Sequence, residues 1–149
     1  MNNYRISSGK GQSRYRLVAF DNALIDAGIS DYNLVRVSSI LPSGSKRQHH
    51  VNVPIGSPLH TAYATMSSDI KGKKVATAIA VGIPKDGKDI GVIMEAEGED
   101  AEQTEEVARD MVMEAMSNHG IEIDHIESSS IDGIVEEGYL SLVSAIALW

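Results

Sequence analysis

The spacing of apolar residues divides this chain into two helices and a series of strands. In "YRLVAFDNALIDAGIS" apolar side chains recur every three to four positions. That rhythm predicts a helix from about Leu17 to Ala27, ended by Gly28 in left-handed geometry. Residues 33–38 read as a strand, followed by a polar loop, "PSGSKRQHH". In "VNVPIGSPL" the prolines Pro54 and Pro58 forbid a regular central strand. "TAYATMSS" and "KKVATAIAVGIP" predict strands separated by a turn at residues 69–72, and Asp86-Gly87 is a hairpin signal leading into "DIGVIMEAEG". The clearest helix runs from Asp100 to about Asn118, where Thr104, Val107, Ala108, Met111, Val112, Ala115 and Met116 share a face. Acids crowd its first turns, where the helix dipole favours them, and Gly120 follows its end. "IEIDHIESSSI" alternates like a half-buried strand, and "GYLSLVSAIALW" forms a last apolar one. Few helices alternate with strands. The expected class is therefore α+β, a layered α/β sandwich (αββα-like) with mainly antiparallel sheets and two main helices.

Composition narrows this picture. A chain of 149 residues that is 42% apolar holds one domain with a sizeable core, residues 1–149. Aromatics make up 5%, so that core is built from Val, Ile, Leu, Ala and Met. A net charge of −8 disfavours nucleic acid and anionic membranes as partners, since both require a basic face. The short basic run from Lys10 to Arg16 reads as a solvated segment. No apolar stretch reaches spanning length, and "MNNYRISSGKGQ" has no apolar signal core. Without cysteine there is no disulfide, thiol catalysis or thiolate metal site. The expected location is cytoplasmic.

Three places carry candidate chemistry. Asp21 has Leu17, Val18, Leu24 and Ile25 as its helical neighbours, all apolar, which places it in a buried stripe or at the mouth of an apolar cleft. A buried carboxylate needs a cation or several donors. An internal pair with an arginine such as Arg36, or a helix-cap hydrogen bond elsewhere, is the plain solution. Asp26, with Asn22, Ala23 and Ser30 around it, reads as solvated. Glu95 and Glu97 in "VIMEAEG" point to one face of a strand, with Met94 and Ala96 on the other. A neighbouring carboxylate and an apolar site both raise a carboxyl's pKa, which suits a general acid. An exposed polar face at a strand end is the plain alternative. The five histidines form no metal-ligand pattern, and no GxSxG, Walker A or GxGxxG motif occurs. The third place is the pair Ser38–Ser39, two hydroxyls where an apolar strand gives way to the turn Pro-Ser-Gly-Ser.

Taken together, "AFDNALIDAGI", "NLVRVSSILP", "HTAY", "VGIPKD", "IMEAEG" and the terminal "AIALW" resemble, in that order, the pyruvoyl-dependent arginine decarboxylases. The resemblance implies a proenzyme that cuts itself between Ser38 and Ser39 into chains 1–38 and 39–149. It implies that Ser39 becomes a covalent pyruvoyl group, in place of a metal or pyridoxal phosphate. It assigns Glu95 as the general acid, Asn33 as a support for processing and for the site, and Asp21 as the partner of the substrate guanidinium. The implied reaction is decarboxylation of L-arginine to agmatine and carbon dioxide. The implied assembly is a trimer or a dimer of trimers with active sites between subunits. The same chemistry on another amino acid, or an uncut trimeric binding module, are the competing readings. The basic, histidine-containing loop 42–58 departs from the apolar, proline-rich passage expected there, and the first dozen residues carry no part of the resemblance.

Overall fold

The computed structural model describes residues 1–149. Eleven elements follow one another: β1 (Asn3–Ser13), α1 (Arg16–Ala27), β2 (Asn33–Arg36), β3 (Ile40–Leu41), β4 (Lys46–Arg47), β5 (Pro58–Ser68), β6 (Lys74–Pro84), β7 (Gly91–Gly98), α2 (Ala101–Asn118), β8 (Ile123–Ile134) and β9 (Tyr139–Leu148). They make two sheets, ordered β2-β5-β9-β1-β4 and β3-β7-β6-β8. Pairing is antiparallel except for β1 with β4 and β2 with β5. The five-stranded sheet carries α1 on its outer face and the four-stranded sheet carries α2, giving the expected αββα layering.

The inner faces meet through Tyr4, Ile6, Leu41, Ala62, Ile79, Val81, Ile93, Ile146 and Leu148. Beside this apolar layer a line of hydroxyls crosses between the sheets. Thr77 and Ser8 both bond Ser144, at 2.9 and 2.8 Å, and Ser8 bonds Ser129 at 2.8 Å. Each buried hydroxyl thus has a partner, which removes the desolvation cost of placing it there.

The first dozen residues, which sequence pattern left unassigned, are β1, and β1 lies inside its sheet between β9 and β4. The run Lys10 to Arg16 is thus split between a strand, a turn and the start of α1 rather than forming one solvated segment. Only Tyr4 and Ile6 announce β1's inner face; Ser8 continues it with a hydroxyl. Under α1 the outer face is Gly9 and Gly11, and this has a steric cause. A Cβ on Gly9 would run into the backbone of Ala23 and Ala27, and one on Gly11 into that of Ala19 and Ala23. The glycines let α1 lie almost directly on the strand.

That close approach corrects the expected orientation of the first helix. Its buried face is small: Ala19, Ala23, Leu24 and Ala27. Leu17 (78% exposed), Val18 and Ile25 point outward instead. Gly28, at φ 76°, ends the helix as expected, its amide donating to the Ile25 carbonyl while Ile29 donates to Leu24. α2 behaves more simply. Asp100 caps it by accepting from the Gln103 amide at 2.9 Å, and Thr104, Ala108, Val112 and Met116 form the buried stripe. Val107, expected in that stripe, is exposed. No helix is long and apolar enough to cross a membrane.

Candidate active site

β2 and β3 are the edge strands on one side of the sandwich, β2 in the five-stranded sheet and β3 in the four-stranded one. The chain must therefore change sheets between Arg36 and Ile40, and it does so at Ser38–Ser39. On one side the Val37 amide donates to the Thr61 carbonyl of β5 at 3.1 Å. On the other the Ser39 carbonyl accepts from the Ile93 amide of β7 at 2.7 Å. The peptide linking the serines is thus stretched between two anchors, one in each sheet. Ser38 is exposed and Ser39 half-buried. No non-glycine residue has a positive φ, so these anchors, and not left-handed backbone, define the local geometry.

Glu95 stands two residues beyond Ile93 on β7, about 7 Å along the strand and on the same face. It pairs across β6 with Ile79, an inner-face residue, while Met94 and Ala96 pack toward α2. The alternation read from the sequence is therefore the one observed. Burial pushes the Glu95 carboxyl above the ordinary carboxylate range; Arg36 opposes this and Glu97 adds to it. Glu97 itself is exposed.

Arg36 is not the internal partner of Asp21 that the sequence allows. Arg36 pairs instead with Glu95 Oε1 at 3.4 Å, donates to the Tyr63 carbonyl at 2.6 Å, and stacks on the Tyr63 ring with 4.3 Å from guanidinium carbon to centroid. Tyr63 in turn lies 6.5 Å from Phe20 of α1, centroid to centroid. Phe20, Tyr63, Arg36 and Glu95 thus form a row from the helix around the sheet edge. Beside it opens a cleft of about 400 Å³ lined by Arg16, Leu17, Phe20, Tyr63, Thr65 and Ser67. Nothing local in the sequence signals this row, because Arg36 and Glu95 are 59 residues apart.

The other two predicted residues lie elsewhere in the single chain. Asp21 is exposed, not buried, with no cation in ion-pair range. It sits among Leu17, Val18 and Ile25 on the uncovered face of α1, one residue from Phe20. Asn33 opens β2, about 16 Å along the chain from Ser38. Its side-chain amide donates to the Gly56 carbonyl at 2.9 Å, which ties β2 to the end of loop 42–58. One chain therefore brings together Ser38, Ser39, Glu95 and Arg36, and leaves Asp21 and Asn33 apart from them.

Comparison with known proteins bears on this arrangement. The family model described as pyruvoyl-dependent arginine decarboxylase matches residues 3–149. A protein of that name from Methanococcus aeolicus is 39% identical over 99% of this chain and 90% of its own length. The corresponding protein of Methanocaldococcus jannaschii is 36% identical over the same shares. That of Thermococcus kodakarensis is 33% identical over 97% of this chain and 92% of its own. With the match running through β1, both helices and the serine crossing to the final strand, the chain belongs to the pyruvoyl-dependent arginine decarboxylase family.

Proposed function

We propose that this chain cuts itself between Ser38 and Ser39 and then decarboxylates L-arginine to agmatine and carbon dioxide. The observation that carries the reading is the Ser38–Ser39 peptide suspended between the two sheets, with a half-buried carboxyl of raised pKa on the strand that grips Ser39.

In the cut, the Ser39 hydroxyl attacks the Ser38 carbonyl carbon and forms an ester as the amide nitrogen is released. Elimination across Ser39 then frees the Ser38 carboxylate, and hydrolysis of the resulting dehydroalanine releases ammonia and leaves a pyruvoyl group. The surroundings of Ser39 fit such a group: the residue is half-buried at a sheet edge, its carbonyl is held by Ile93, and an acid lies close by. A pyruvoyl ketone at Ser39 would supply the electron sink for loss of carbon dioxide from the substrate. Glu95 supplies the proton that the α-carbon takes up; burial keeps that proton on the carboxyl to a higher pH than an exposed glutamate would hold it.

Substrate choice falls to Asp21, whose carboxylate offers a guanidinium two parallel hydrogen bonds. Asp21 lies on a different part of the surface from Ser39, in the middle of an uncovered apolar helix face. This supports an assembly, a trimer or a dimer of trimers, in which the α1 face of one subunit completes the site of its neighbour. Asn33 on β2 supports processing in the same assembly, through a side-chain amide able to donate to an oxyanion.

The test is release of agmatine and carbon dioxide from arginine, set against lysine and ornithine. Arginine alone should turn over. A purified, incubated protein that releases neither product from arginine overturns the reading.

A further inference from the structure

β2 stops pairing with β5 at Arg36 opposite Thr61, although β5 continues to Ser68. The edge of β5 beyond Thr61 is left bare, and the Arg36 guanidinium takes over where the strand leaves off. One of its nitrogens donates to the Tyr63 carbonyl at 2.6 Å while the plane stacks on the Tyr63 ring at 4.3 Å. These two contacts fix the guanidinium in position and direction, which a flexible ammonium would not achieve. The same nitrogen meets Glu95 Oε1 at 3.4 Å. A single side chain therefore straps β5 to β7 across the gap where the chain changes sheets, two residues before Ser38.

Resting on the general-acid reading of Glu95, we propose that Arg36 is its positioning residue, holding the carboxyl beside the Ser38–Ser39 crossing and setting the pH at which it ionises. The charged groups that act on Glu95 are Arg36 from β2 and Glu97 from its own strand; its register partner on β6 is Ile79. Burial and Glu97 keep the proton on Glu95, and Arg36 is the one group working against them. Cleavage leaves Arg36 on the chain of residues 1–38 and both Tyr63 and Glu95 on the chain of residues 39–149. The grip is thus exerted from across the cut, and it also ties the freed end of β2 to the site.

A titration that needs neither cleavage nor turnover tests this. In the uncut Ser39→Ala chain, the Glu95 carboxyl is followed by its carbon-13 shift, assigned by its loss in Glu95→Gln. Adding Arg36→Gln should raise the midpoint by about half to one pH unit, an opposite charge being lost at a partly screened site. Arg36→Lys, which keeps the charge but not the fork or the stack, should raise it less, and it carries the test if the glutamine variant folds poorly. In cleaved enzyme, the alkaline limb of the kcat profile should move up in Arg36→Gln with little change in KM for arginine, an outcome that a purely structural strap does not produce. An unmoved Glu95 midpoint in both variants overturns the proposal. Full turnover by Glu95→Gln would instead remove the general-acid reading, while the titration still decides whether Arg36 governs the carboxyl.

Discussion

The two open edges of the sandwich are built alike but hold their carboxylates differently. At each, a glutamate of the four-stranded sheet is met by an arginine from an edge strand of the other: Glu95 by Arg36 at 3.4 Å, and Glu127 by Arg47 at 3.3 Å. Glu127 has further donors. The Tyr4 hydroxyl reaches its Oε1 at 2.9 Å and His125 Nε2 meets its Oε2 at 2.7 Å, while His125 Nδ1 is held by Asp124 at 2.7 Å. Its side chain is only 16% exposed. Glu95 has Arg36 alone and is 38% exposed. The first carboxylate has a partner on each oxygen and closes an edge. The second is half-buried with one partner and a free lone-pair side, which suits the general-acid role proposed for it.

The largest expected effect falls on the edge proposed to be catalytic. Ser39→Ala should abolish both cleavage and decarboxylation, since no other atom can become the ester oxygen; two chains on a denaturing gel from this variant would remove Ser39 from its role. Next, Glu95→Gln should still cut but lose about 10²- to 10⁴-fold in kcat, the usual worth of a positioned acid. Glu127→Ala is the matched control. It leaves the buried Tyr4 hydroxyl without its acceptor, so chemical denaturation should show a loss of about 1–3 kcal/mol. Turnover of the folded fraction should stay within a few-fold of the parent. If the two glutamates exchanged these phenotypes, the contrast between the edges would be wrong.

Asp21→Asn sharpens the comparison differently, because Asp21 belongs to neither edge of its own chain. It should raise KM for arginine by about tenfold or more, as a charge-assisted pair is reduced to a neutral contact. Unchanged arginine kinetics would free Asp21 from the substrate.

The smallest effect concerns His125. Asp124 first, and then Glu127, hold its pKa above the ordinary histidine value. A folded-state pKa above the unfolded one gives stability that is complete below about pH 6.5 and disappears as pH rises through the folded value. With the ring about half exposed, His125→Ala should cost under about 1 kcal/mol at pH 6, and less at pH 9. A loss that grew with pH would contradict the assignment.

These edges also show how much the sequence disclosed. The layering, both helices, the glycine stop at Gly28 and the opposite facing of Glu95 and Met94 were legible, because each follows from local periodicity or backbone geometry. β1 was not, because Ser8 stands where an apolar residue would mark its inner face, and Gly9 and Gly11 stand where the helix needs space. For the same reason the outward face of α1 was misjudged: hydrophobic spacing marks Leu17, Val18 and Ile25, while the surface that packs is alanine. The motifs singled out Ser38, Ser39 and Glu95, the residues to which the proposal assigns the chemistry. Arg36 and Tyr63 were not singled out, since their meeting with Glu95 depends on where β2 leaves β5, a long-range event with no local mark.

The measurement that bears most directly on the central claim is the intact mass of the purified protein after incubation. The account predicts two chains, of 38 and 111 residues (149 − 38), the larger with a blocked amino end. A single chain of 149 residues persisting after prolonged incubation would contradict it.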